Sequence, residues 1–87
     1  MGNQSTSIQA QARISNYAGL VRDLVFDAIK AFGKDGLTAH ECAAVLDIDK
    51  ATVQPRTSEL HSDSLIVDSG MRRPNASGRN AIVWVVA

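Results

Sequence analysis

The sequence predicts an α+β domain of three helices followed by a C-terminal β-hairpin. Two observations lead there. From about residue 16 to residue 62, apolar side chains recur at helical spacing, interrupted twice by short polar turns. Beyond that, two β-prone runs, "LIVDSG" and "AIVWVVA", flank the turn-rich "MRRPNASGRN". A chain of 87 residues, 45% apolar, has material for one small core and no second one.

The elements follow in order. Residues 1–13 are polar and small and are read as a flexible N-terminal segment, leaving 14–87 as the domain. Over residues 16–32, Tyr17, Leu20, Val21, Leu24, Val25, Ala28, Ile29 and Phe32 share one helical side, with Arg22, Asp23, Asp27 and Lys30 opposite. Phe26 is the misfit, because this phase puts it among the charges. "GKDG" stops the helix, and "GLT" around Leu37 is a candidate third strand beside the hairpin. Thr38 and Glu41 form a capping-box pattern that opens a second helix of about two turns. Asp49 is a good cap for a third helix with Val53, Thr57 and Leu60 inward.

Composition excludes several classes. No apolar run approaches the ~20 residues that span a bilayer, and the N-terminus carries no apolar signal core. One cysteine allows no internal disulfide, and a reducing cytoplasm is the expected compartment. Nine basic residues balance nine acidic ones, which argues against a general polyanion binder. The distribution is uneven: every acid precedes residue 69, and Arg72, Arg73 and Arg79 follow it. "HECAA" partly matches a zinc-binding helix, but Ala44 stands where a second His is needed, so no metal is expected. No nucleophile–base set or phosphate loop stands out, so the chain reads as a non-enzyme without cofactor or small-molecule ligand.

"AAVLDIDKATVQPRTSELHSDSLIV" resembles the winged helix-turn-helix family. Ala43 matches the small residue at the helix crossing and Ile48 the apolar turn residue. Val53 and Leu60 match the core of the recognition helix, and Leu65-Ile66 the start of the wing. Asp47 and Ser64 stand where the family often has Gly; Asp47 tolerates a left-handed backbone, and Ser64 is read as a different turn. Thr57 replaces the usual large aliphatic. The resemblance implies double-stranded DNA as partner, with the third helix in the major groove and the wing on the backbone. It also implies a small transcriptional regulator like those of phage and mobile elements. Winged helices serve as adaptors as well, so a host protein is the alternative partner.

Pro55 bears on the groove-facing side chains. Inside the third helix it removes the bond to the Ala51 carbonyl. Either the kink is tolerated on a solvated face, or the helix begins near Pro55 after a tight turn, or the ring is an apolar contact to a partner. With Val53 inward, Ala51, Pro55 and Ser58 face outward. Lys50 and Thr52 are candidates for phosphates at the helix start, and Gln54 for an adenine edge or for plain solvation. Arg56 reaches either a phosphate or an acid of the helix surface, Glu59 or Asp63. Arg72, Arg73, Asn75, Arg79 and Asn80 form the expected wing tip, for minor-groove or backbone contact, or as a solubilising loop. A single domain covers a short site, which favours a homodimer, with Phe26 expected at its interface.

Overall fold

The computed structural model describes residues 17–87, so the expectation for residues 1–13 lies outside the described residues. Helix α1 runs Tyr17–Ala31 and buries Val21, Val25, Ala28 and Ile29. Its phase differs from the expected one on both flanks. Tyr17, Leu24 and Phe32 are exposed, whereas Phe26 packs against the core. The neighbouring helix explains this. Arg22 donates to Glu59 of the third helix at 2.9 Å, and Phe26 follows Arg22 by four residues, on the same row. The row of Arg22 and Phe26 is thus the one that faces another helix, while Asp23, Asp27 and Lys30 stay exposed. A dimer through an exposed Phe26 loses its premise.

After α1, a single 3-10 turn at Gly33–Asp35 leads to Gly36 and then to Leu37. Leu37 exchanges two hydrogen bonds with Trp84, of 3.0 and 2.8 Å. The expected third strand is therefore one isolated bridge. Helix α2, Ala39–Leu46, opens on the complete capping box: Thr38 Oγ1 accepts from the Glu41 amide, and Glu41 accepts from the Thr38 amide.

Helix α3 runs Lys50–Ser62 without interruption, with Asp49 accepting from the Ala51 amide as cap. A start near Pro55 is thereby excluded, and Pro55 lies within the helix, exposed. Val53, Thr57 and Leu60 are buried, as the sequence pattern requires. Both α2 and α3 close on the same motif. Ile48 donates to the Ala43 carbonyl and Asp47 to that of Ala44; Leu65 donates to Leu60 and Ser64 to His61. These are Schellman pairs, and each places one residue in the left-handed region: Asp47 at φ +55° and Ser64 at φ +63°. Ser64 thus uses the glycine-type turn itself, not a different one.

Strands β1 (Ile66–Pro74) and β2 (Asn80–Val86) form an antiparallel hairpin. Asp68 pairs with Trp84 and Arg72 with Ile82, so three residues of β1 stand against Val83 alone. The bulge closes on itself: Asp68 accepts from the Gly70 amide and Ser69 from that of Met71. The ladder then resumes, which places Arg72 and Arg73 on the strand and shortens the expected loop to residues 75–79.

The core gathers Val21, Val25, Ile29, Leu37, Cys42, Val53, Leu60, Ile66 and Trp84. Burial pushes the Cys42 thiol up to about 12, consistent with a small inert core residue. Three helices followed by a two-stranded antiparallel sheet give an α+β layout compatible with a winged helix. Among the described residues, no helix is long and apolar enough to cross a membrane.

Candidate nucleic-acid interface

The outward row of α3 carries Lys50, Ala51, Gln54, Pro55 and Ser58, all exposed. It exists because Val53, Thr57 and Leu60 fix the opposite row in the core. The Thr57 hydroxyl donates to the Gln54 carbonyl at 2.8 Å, the i−3 back-bond by which a buried helical threonine satisfies its hydroxyl. Thr52 is half-buried.

Beside this row lies a groove of about 330 Å³. Three elements build it: the start of α2 with His40, α3 with Gln54 and Ser58, and the hairpin with Asn75, Ile82 and Trp84. Gln54, Ser58 and Asn75 are therefore brought together. His40 joins them, a residue considered in the sequence only as a metal ligand. Its position two residues past the Thr38 cap, at the start of α2, was the available signal. Groups with donor or acceptor capacity meet there on an open surface. The Asn75 Oδ1 is occupied by the Ser77 amide and hydroxyl, at 3.0 and 2.6 Å, so only its amide donors are free.

The arginines are arranged differently from the expected basic prong. Arg56 turns toward the helix surface, donating to Glu59 at 2.8 Å, and Arg22 shares that carboxylate. Of the two acids expected within its reach, Glu59 is its partner. Arg72 makes two hydrogen bonds to Asp68, at 2.8 and 3.0 Å, which hold the Asp68 carboxyl below its usual range. Arg73 forks onto Glu41, with Nε to Oε2 at 3.0 Å and Nη2 to Oε1 at 2.8 Å. Arg79 is exposed and, among the described residues, forms no ion pair. Asn80 is exposed opposite Pro74. Lys50 is the cation at the α3 start, with the carboxylates of Asp47 and Asp49 close by in sequence. Among the described residues of this candidate surface, Lys50 and Arg79 are exposed cations outside any ion pair. No family model, curated protein or solved structure matches this chain.

Proposed function

We propose that this protein binds double-stranded DNA sequence-specifically as a small transcriptional regulator, with α3 in the major groove and the hairpin against the backbone. The observation that carries the reading is the three-element groove, where Gln54, Ser58, His40 and Asn75 offer hydrogen bonds beside an exposed helix row. Lys50 and Arg79 supply the phosphate contacts. Few cations mean modest non-specific affinity, so discrimination rests on the uncharged groups, and selective binding calls for two copies on a two-fold site.

The test is duplex binding across a salt series, after selection of a preferred site from random sequence. Gln54→Ala should weaken binding to the selected site about 5- to 150-fold, the equivalent of one lost bidentate base contact, and leave random duplex nearly unchanged. Arg79→Ala should reduce the slope of log affinity against log salt by about 0.9. Absence of salt-dependent binding in the parent would refute the reading.

One observation favours a second reading, a protein-interaction module. Two of the three hairpin arginines are paired within the chain, and Asp47 and Asp49 flank the start of α3. An adaptor contacting a host protein would use the same groove but tolerate loss of Arg79.

A further inference from the structure

We infer that Arg73 is a positioning residue: with Glu41 it sets the angle at which the hairpin meets the duplex, and it does not itself touch phosphate. The inference rests on the DNA-binding reading above. Three of the donor bonds Arg73 can make are already used, two on Glu41 and one from Nη2 to the Gly36 carbonyl at 2.9 Å. The planar fork matches the carboxylate edge on, a fit that a lysine ammonium cannot copy. Glu41 is itself held in place, since Oε1 also accepts from the Thr38 amide at 2.8 Å. A carboxylate fixed by a helix cap therefore anchors a guanidinium on β1.

The location of the pair gives it its role. The hairpin base is tied to the core through Ile66 and through the Leu37–Trp84 bridge. The bulge at residues 69–71 interrupts the ladder between that base and the tip. A two-stranded ribbon bends most easily where its ladder is broken. Arg73 lies just beyond the break and ties the distal half back to α2, so it converts a hinge into a fixed elbow. Asn75, which lines the groove, follows it by two residues.

The alternative is that Arg73 leaves Glu41 when DNA arrives. The two ideas predict opposite outcomes for Glu41→Gln, which keeps an acceptor for the Thr38 amide but removes the charge. Duplex binding would be measured across salt for the parent, Glu41→Gln, Arg73→Gln, the double variant and Arg73→Lys, with Arg79→Ala as the phosphate-contact reference. Each single variant should weaken binding about three- to thirty-fold with an unchanged salt slope, and the double variant should be no worse than either single one. Arg73→Lys should recover little. Tighter binding by Glu41→Gln, or a slope lowered by about 0.9 in Arg73→Gln, would overturn the inference. Amide hydrogen exchange gives a reading independent of DNA: residues 72–82 should exchange faster in both single variants while α3 amides keep their protection. If the parent binds no duplex, the functional reading fails by itself, and unchanged exchange at 72–82 is then the result that overturns the elbow.

Discussion

At Gly36 an added Cβ would collide with the Trp84 carbonyl oxygen and press on the Val83 and Val85 methyls, and φ there is +60°. Both conditions restrict the position to glycine, and both arise because the Leu37–Trp84 bridge draws two backbones together. Asp47 and Ser64 show the opposite case, a left-handed backbone filled by residues that bear a Cβ. A left-handed conformation costs an L-residue roughly 1–2 kcal/mol, less for Asp, and glycine returns part of that through its greater freedom when unfolded. Ser64→Gly should therefore raise stability by about 0.5–1 kcal/mol, seen as a higher urea midpoint at an unchanged slope. A lowered midpoint would show that the Ser64 side chain stabilises the turn in a way the backbone argument omits. The sequence did reveal Asp47, because Asp is known to accept this conformation. Ser64 was not legible, since serine carries no comparable preference and only the Leu65 and Ser64 amide bonds disclose the turn.

The elements themselves were largely readable where local chemistry decides them. The capping box predicted the start of α2, Asp49 that of α3, and the Val53–Thr57–Leu60 row its buried side. Two features escaped because they depend on neighbours. The flank of α1 that carries Phe26 is covered by α3, and helical periodicity cannot tell which flank a neighbour will cover. The length of β1 depends on Asp68 and Ser69 absorbing three residues into a bulge, a pattern that resembles a loop in sequence. Pro55 was located on the outward row, but its consequence for the helix was not fixed by sequence. Since α3 continues through it, the Ala51 carbonyl lacks its usual helical donor. Pro55→Ala should restore that bond and add about 1–2 kcal/mol of stability, the gain being reduced by the looser unfolded chain. Chemical denaturation would read it, together with far-UV circular dichroism that keeps its helical signal. A loss of stability would mean that the ring packs against something α3 needs.

Among the described residues, two of the four ion pairs join distant parts of the chain. Arg73 and Glu41 are 32 residues apart in sequence, and Arg22 and Glu59 are 37 apart. The segregation of acids before residue 69 and arginines after it suggested a basic prong, because a linear pattern cannot show which charges will meet. The groove suffered the same limit: Gln54, Ser58 and Asn75 were legible as polar surface, while His40 joined them only once α2 was placed. Pairing also makes the fold acid-sensitive. The Arg73 hydrogen bond is the largest influence holding the Glu41 carboxyl below its usual range, and Arg72 does the same for Asp68. A depressed folded pKa adds stability above the unfolded value, about 4.3 for Glu, and that stability is lost as pH falls through the folded value. Thermal melts from pH 6 down to pH 3 should therefore show the parent losing more stability than Glu41→Gln over that range. Equal losses would mean that the pair is worth nothing in solution.

The bulge also has a mechanical meaning. Over the same stretch of hairpin, β1 uses two more residues than β2, a surplus of about 6–7 Å of strand. Two ribbons of unequal arc length joined edge to edge do not lie straight, and the joined pair takes up the mismatch as curvature. The bulge thus gives this hairpin its tendency to curve, and the fork of Arg73 on Glu41 fixes the angle at which the curve is held.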